Sequence, residues 1–252
     1  MSESVILPTS KDEAWRYSDI DALEGMDLGT FDAWRDITVP PGETYRECFV
    51  VPDDDKVELT RLRIRIGKGA RCEIFAVNGG GLFSRIEIVA MLEEAAHFEL
   101  GGVTLGGRET TREFVVRVAH EEPRATSNQT VRSVHWGRGT GNFLGRIDVV
   151  RDAQKTDAAQ SFKGLLLDKG ASANAVPQLE IYADDVKCEH GATVGQMDEM
   201  ARYYMAARGI PPEDARKLLV RAFLADAFVA LDDEAERERM MDAAIAKLDK
   251  HL

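Results

Sequence analysis

The sequence predicts a mainly β core followed by a group of α-helices. Short runs in the middle of the chain alternate apolar and polar residues, as in Arg61-Leu62-Arg63-Ile64-Arg65-Ile66, and glycines separate these runs. Further along, apolar residues recur at the spacing of one face of a helix. We therefore divide the chain into three parts: a short N-terminal segment (1–40), a β core (41–195) and a C-terminal helical region (196–252).

The β core is predicted from alternation and from glycine punctuation. Arg85-Ile86-Glu87-Ile88 and Arg146-Ile147-Asp148-Val149 repeat the alternating pattern, and 15 of the 21 glycines lie between Gly67 and Gly170. Glycine supplies positive φ in tight turns at little steric cost. Short strands with almost no helical segment between them indicate an all-β core. A sandwich, a barrel and a β-helix all fit this pattern, and the many short glycine turns slightly favour stacked coils.

Helix start and stop signals place three C-terminal helices. Asp198 is a suitable N-cap for a first helix that ends at Gly209. Pro211-Pro212 begins a second helix, whose apolar positions continue to Val229, and a third runs from about Glu234 to Leu248. The apolar stripe of the second helix either packs on the core or docks a partner. Helix-like content is also expected around residues 11–23.

Composition and charge argue against several classes of protein. The chain has 252 residues and a net charge of −12, which argues against a protein that binds the nucleic-acid backbone. No apolar run approaches the roughly 20 residues of a membrane helix. The first residues lack the features of a signal peptide, so a cytoplasmic location is expected. Three cysteines without a C-x-x-C pair predict neither a disulfide framework nor a self-contained cluster site.

The strongest local signal for metal chemistry is Cys188-Glu189-His190. On a strand, Cys188 and His190 project from the same face. Thiolate and imidazole together suit iron, zinc or copper(I), although two ligands alone make an incomplete site. The other interpretation is a buried structural cysteine beside an incidental histidine. No P-loop, Rossmann pattern, catalytic triad or paired carboxylates are found, so no catalytic residue is predicted.

Several segments together resemble the SufB/SufD family of iron–sulfur cluster assembly proteins. The segment from Pro177 to Gly195 contains Lys187-Cys188-Glu189-His190-Gly191-Ala192-Thr193-Val194-Gly195 and is similar to the family signature. Lys155-Thr156-Asp157-Ala158-Ala159-Gln160 upstream and Tyr203-Tyr204-Met205-Ala206-Ala207-Arg208-Gly209-Ile210 downstream continue the resemblance. Glu13-Ala14-Trp15-Arg16-Tyr17-Ser18 resembles the family's N-terminal motif.

The resemblance implies a right-handed parallel β-helix followed by C-terminal α-helices. It also implies a scaffold subunit without catalytic activity that docks the ATPase SufC through its C-terminal helices. The resemblance further implies that the subunit pairs at the β-helix edge with a SufB-type scaffold or with a second copy of itself. Cys188 and His190 would then supply ligands to a transient iron–sulfur cluster that a partner subunit shares, and the isolated chain would hold none. The residues expected to bind the ATPase are Leu218, Leu219, Ala222 and Phe223.

Two positions favour the SufD type. Family members of the SufB type carry a cysteine at the position of Phe162 and a glutamate at the position of Gly191, whereas Glu189 is the SufB-like choice. Typical members are much longer, which leaves the identity of the partner open. The alternative hypothesis is a self-contained metal-dependent enzyme on a β scaffold, with Cys188 and His190 as two of its ligands.

Overall fold

The described chain forms two parallel β-sheets that face each other. A computed structural model describes residues 7–52, 54 and 56–249. Sheet A has the strand order β1-β3-β5-β7-β9-β11, and sheet B has the order β12-β10-β8-β6-β4-β2. Because successive strands alternate between the sheets, the chain winds as a parallel β-helix of six turns, which confirms the predicted fold class. The strands are β1 (Arg35–Val39), β2 (Thr44–Val50), β3 (Val57–Ile66), β4 (Arg71–Asn78), β5 (Phe83–Leu92), β6 (His97–Gly106), β7 (Thr111–His120), β8 (Thr126–His135), β9 (Thr140–Val149), β10 (Asp157–Leu166), β11 (Ser172–Ile181) and β12 (Lys187–Gln196).

The core between the sheets is built from the apolar half of each alternating strand. Ile64, Ala90, Val118 and Ile147 stand in one register row of sheet A, and all four are fully buried. The parallel register stacks these side chains directly from turn to turn, although the turns differ in length, so each turn buries the apolar surface of its neighbours. The arginines that alternate with them on β3 point outward, as the alternation predicts.

The turns between the sheets continue the backbone ladder. Gly69 donates its N–H to Glu94 O at 2.9 Å, and one turn further Ala95 donates to Pro123 O at 3.0 Å. Both residues have positive φ, 65° and 55°. Glycine adopts this conformation freely, and alanine adopts it here because the stacked turns impose it. Gly101 is required for close packing and not for positive φ, because a Cβ at this position would collide with Ala227 O of the helical region.

Three helices follow the β-helix: α2 (Glu199–Ala207), α3 (Pro212–Ala225) and α4 (Glu234–Asp249). As predicted, the Asp198 side chain caps α2 by accepting from Met200 N and Ala201 N, and Gly209 follows it with a φ of 78°. Within the described residues, none of the helices is long and apolar enough to cross a membrane.

The helical region packs on the outer face of sheet B. Val220, Leu224 and Phe228 form one apolar cluster with outward side chains of sheet B, including Phe75. The second helix ends earlier than predicted: α3 stops at Ala225, and a 3-10 turn carries the chain on to Phe228. This turn directs the Phe228 ring against Phe75, with centroids 6.5 Å apart.

The N-terminal segment lies on the outer face of sheet A. The helical content expected around residues 11–23 is present as two 3-10 turns, Glu13–Trp15 and Asp21–Leu23, followed by a short helix α1 (Leu28–Phe31). Trp15 and Phe31 pack with Phe83 of sheet A. The first strand begins at Arg35, before the expected start of the β core at residue 41, because Arg35–Val39 pairs with β3.

Candidate functional site

Cys188 and His190 lie side by side on β12, two positions apart on one face. In the parallel register, Cys188 stands beside Ala158 and His190 beside Gln160 of β10. Ala158 and Gln160 are buried. The two candidate ligands therefore continue the inward-facing rows of the β-helix into its last turn.

The last turn leaves its edge open. Among the described strands, β12 is hydrogen-bonded only to β10 and forms the end of sheet B. A Cβ added to Gly191 or Gly195 would meet no atom within 4 Å, and Val194 is exposed although apolar. An uncovered strand presents a row of backbone N–H and C=O groups that another strand can pair with.

The thiol of Cys188 is half-buried against apolar side chains. It packs against a cluster that contains Ile147, Val149 and Ala158. Burial raises the pKa of the Cys188 thiol above its usual value, and the nearby Asp157 carboxylate raises this pKa further. The thiol is thus protonated at neutral pH, and binding a metal ion as thiolate requires that it release a proton.

These two side chains do not make a complete metal site. Over the described residues, no group of three or more His, Cys, Asp or Glu side chains is placed to hold a metal ion. Glu189 points to the opposite face of β12, and both Glu189 and His190 are exposed. A cluster or metal ion at Cys188 and His190 therefore needs ligands from elsewhere.

The four residues predicted to bind the ATPase face two different grooves. Leu218 and Ala222 line a groove between α3 and α4, together with Arg221, Arg237 and Met241. Leu219 and Phe223 line a second groove against β10 and β12. Helical periodicity placed all four on one broad stripe, whereas the sheet contact divides that stripe because Val220 and Leu224 are the fully buried positions.

A charged link between the helices and the site-bearing sheet was not predicted. The buried guanidinium of Arg132 on β8 donates through Nε and Nη2 to Asp226 Oδ2, at 2.9 and 2.6 Å. Lys163 Nζ on β10 lies 3.6 Å from the same oxygen, and Lys163 stands beside Thr193 of β12 in the register. No short-range pattern could reveal this contact, because Arg132 and Asp226 are 94 residues apart in the chain.

The fold and the site together define a β-helical protein with a cysteine and a histidine as candidate metal ligands on the last strand of sheet B. The family model described as "SUF system FeS cluster assembly, SufBD core domain" matches residues 49–223, well over half of the chain. The chain therefore belongs to the SufB/SufD family, which confirms the predicted family.

Curated relatives agree with this assignment. The chain is 39% identical over 122 residues to the iron–sulfur cluster assembly protein SufD of Escherichia coli, covering 48% of this chain and 29% of that protein. It is 33% identical over 171 residues to an iron–sulfur cluster assembly SufBD family protein of Synechocystis, covering 67% of this chain and 38% of that protein. A chloroplastic protein of Arabidopsis thaliana, ABCI7, is 35% identical over 153 residues, covering 60% of this chain and 32% of that protein. The chain spans about a third of the length of these relatives.

Proposed function

We propose that this chain is a SufD-type scaffold subunit of an iron–sulfur cluster assembly complex and has no catalytic activity of its own. One observation carries most weight: Cys188 and His190 are adjacent on the terminal strand β12, where the described chain offers no third ligand. A thiolate and an imidazole suit a nascent cluster, which passes through as cargo. Two ligands hold such a cargo only when another subunit completes the set.

The partner pairs with the open edge of β12. Unpaired backbone groups along β12 favour addition of a strand from a second chain. Val194 is apolar and exposed on this last strand, so pairing with a second chain also covers hydrophobic surface. The partner is a SufB-type scaffold or a second copy of this chain, and either places its own ligands next to Cys188 and His190.

The SufD type is favoured by Phe162 and Gly191. Phe162 stands where SufB-type members carry a cysteine, and its buried ring stacks on Phe143 with centroids 5.5 Å apart. At the position of Gly191, where SufB-type members carry a glutamate, this chain has no carboxylate ligand, and the space beside the glycine is open. The chain therefore supplies fewer ligands than a SufB-type scaffold and depends more on its partner.

A SufC-type ATPase docks on the helical region. The groove between α3 and α4 combines the exposed apolar side chains of Leu218 and Ala222 with the charges of Arg221, Arg237 and Glu238. An apolar centre with a charged rim is typical of a protein interface. Movement of α3 reaches β8 and β10 through the Arg132–Asp226 ion pair, and β10 is the strand that pairs with β12.

Cluster assembly on the complex tests the two ligands. The chain is co-expressed with its ATPase and scaffold partners, and iron and sulfide are measured after anaerobic reconstitution. Cys188→Ala and His190→Ala each lower the bound iron and sulfide. Cys48→Ala is the matched control, since Cys48 is a half-buried cysteine on β2, at the other edge of the same sheet. Normal cluster content in both site variants would contradict the proposed role of the pair.

A charge placed in the α3–α4 groove tests ATPase docking. Leu218→Glu abolishes co-purification of the ATPase, whereas Val229→Glu leaves it intact. Val229 is the control because it is an exposed apolar residue of the same region, 72% accessible, outside this groove. Retention of the ATPase by Leu218→Glu would place the docking surface elsewhere.

Metal analysis of the isolated chain separates the scaffold from a self-contained enzyme. A scaffold acquires iron and sulfide only within the complex. A stoichiometric metal ion held tightly by the isolated chain, and lost in Cys188→Ala, would favour the metal-dependent enzyme.

A further inference from the structure

A cavity of about 370 Å³ lies on the outer face of sheet A, under the N-terminal segment. Its floor consists of four half-buried aliphatic side chains, Val89, Val115, Leu144 and Val176, one from each of four successive strands of the sheet. Val115, Leu144 and Val176 stand in a single register row. The cavity is on the other sheet from Cys188 and His190, so cluster chemistry does not account for it.

Two aromatic side chains, Trp34 and Tyr17, form parts of the walls. The indole of Trp34 is held in place by the guanidinium groups of Arg61 and Arg63, 4.2 and 4.9 Å from its ring centroid. An apolar floor between aromatic walls suits a flat aromatic or aliphatic body.

The wall formed by the N-terminal segment is fixed to the sheet. Asn142 Nδ2 donates to Tyr17 O at 2.8 Å, and Arg85 Nη1 donates to Ala14 O at 2.9 Å. Gln178 Nε2 donates to a carboxylate oxygen of Glu13 at 2.7 Å and joins this wall to β11. The cavity is therefore preformed, and a ligand does not have to order its walls on binding.

Most charged side chains around the cavity already have a partner, among them Arg146 with Glu180 and the Glu13 carboxylate with Gln178. Arg117 and Arg146 both direct Nε to the same carboxylate, Asp148, at 2.5 and 2.6 Å. The Glu87 carboxylate in the lining is already bound by two further arginine side chains. Within the part of the chain that the structure describes, the exposed guanidinium of Arg16 makes neither a hydrogen bond nor an ion pair.

We propose that this cavity binds a small amphipathic anion. An aromatic or aliphatic body lies on the floor around Leu144, between Trp34 and Tyr17, and a carboxylate, sulfonate or phosphate group faces Arg16. The volume lies in the range of small-molecule sites, which are mostly apolar with a few directing polar groups. A chain with a net charge of −12 repels anions in general, so binding of the anionic group depends on the guanidinium of Arg16.

Binding of two related probes to the full chain tests this site. The first is 8-anilino-1-naphthalenesulfonate, an aromatic anion whose fluorescence rises in apolar surroundings. The second is N-phenyl-1-naphthylamine, which has the same aromatic framework without the sulfonate. Titration gives one saturable site for the anion, and calorimetry gives its stoichiometry.

Three variants identify the site and its charge preference. Leu144→Glu weakens both probes by about tenfold or more, because it puts a carboxylate on the apolar floor. Arg16→Gln weakens only the anionic probe, by about three- to fivefold, as expected for one exposed charge. Val150→Glu, at an exposed apolar position outside the cavity, changes neither affinity.

Val176→Trp provides a second check that does not add charge. The larger side chain fills the cavity from β11 and blocks both probes while the far-ultraviolet circular dichroism stays unchanged. Binding of the anion that is unaffected by Leu144→Glu and Val176→Trp would overturn the proposal. Equal weakening of both probes by Arg16→Gln would overturn the preference for an anion.

Discussion

A buried ion pair attaches the N-terminal segment to sheet A. Arg85 Nη1 and Glu113 Oε2 are 3.0 Å apart, and both side chains are fully inaccessible. The Arg85 guanidinium also stacks on the Trp15 ring, 3.8 Å from its centroid. Replacing Arg85 with Met keeps most of the side-chain volume, removes these contacts and leaves the Glu113 carboxylate buried without its cation.

The expected cost follows from what remains around Glu113. Breaking a buried ion pair from one side costs about 3–5 kcal/mol. Glu113 keeps two donors, Asn142 Nδ2 at 2.7 Å and Ser18 Oγ at 2.9 Å, which places the loss at the lower end of that range. We therefore expect Arg85→Met to lower the free energy of unfolding by about 3 kcal/mol.

Urea unfolding followed by circular dichroism measures this cost. Arg138→Met is the control, because both side chains of the Arg138–Glu109 ion pair are exposed, and it changes the free energy by less than about 0.5 kcal/mol. Adding Glu113→Gln to Arg85→Met recovers about 1–2 kcal/mol, since the amide removes the stranded charge. A loss below about 1 kcal/mol in Arg85→Met, or no recovery in the double variant, would refute this account.

Three further predictions concern the helical layer and the core. Asp226→Asn lowers the free energy of unfolding by about 1–3 kcal/mol, measured by urea unfolding, because the buried Arg132 guanidinium loses its carboxylate. Phe228→Ala costs about 3–5 kcal/mol in the same assay, since the fully buried ring leaves a cavity against sheet B. Burial lowers the pKa of His120 to about 4 and of His135 to about 3. Below about pH 6.5 the unfolded chain binds protons at these histidines that the folded chain does not bind. Their contribution to stability is therefore fully present above about pH 6.5 and is lost as the pH falls below it. His135→Gln reduces that slope, as pH-dependent urea titrations measure, and an unchanged slope would contradict the assignment.

The Asp226 carboxylate is protonated at a lower pH than the one at which the unfolded chain gains protons on these histidines. Partial burial by itself raises the pKa of Asp226, but hydrogen bonding and charge from Arg132 and Lys163 outweigh burial and hold this pKa below its usual value. Stability from this carboxylate is therefore present above the pKa of an unfolded Asp and is lost as the pH falls through its lower folded value.

Local patterns in the sequence predicted most of the secondary structure. Alternation on β3 identified Leu62, Ile64 and Ile66 as inward positions, and all three are fully buried. Asp198 and Gly209 were predicted as helix boundaries because capping and positive φ depend only on nearby residues. Alternation alone could not choose between a sandwich and a β-helix, since both bury every second residue. The family resemblance made that choice.

Contacts between residues far apart in the chain determine the features that local patterns did not predict. The end of α3 depends on Asp226 meeting Arg132 and on Phe228 meeting Phe75, and neither partner is near in sequence. Strand periodicity predicted that Cys188 and His190 share one face of a strand, because that depends only on residues two apart. The division of the apolar stripe between Leu218 and Leu219 was not predicted, because it follows from the position of sheet B beneath α3.

The most direct test of the central claim is to detect the nitrogen of His190 on a cluster that two subunits share. The chain is labelled with ¹⁵N-histidine, assembled with unlabelled partner subunits, reconstituted and reduced. Electron spin echo spectroscopy then measures hyperfine coupling to the cluster. We predict a ¹⁵N coupling in the complex that disappears in His190→Ala and persists in His97→Ala, with no cluster on the isolated chain. A cluster without ¹⁵N coupling in the complex, or an equivalent cluster on the isolated chain, would contradict the account.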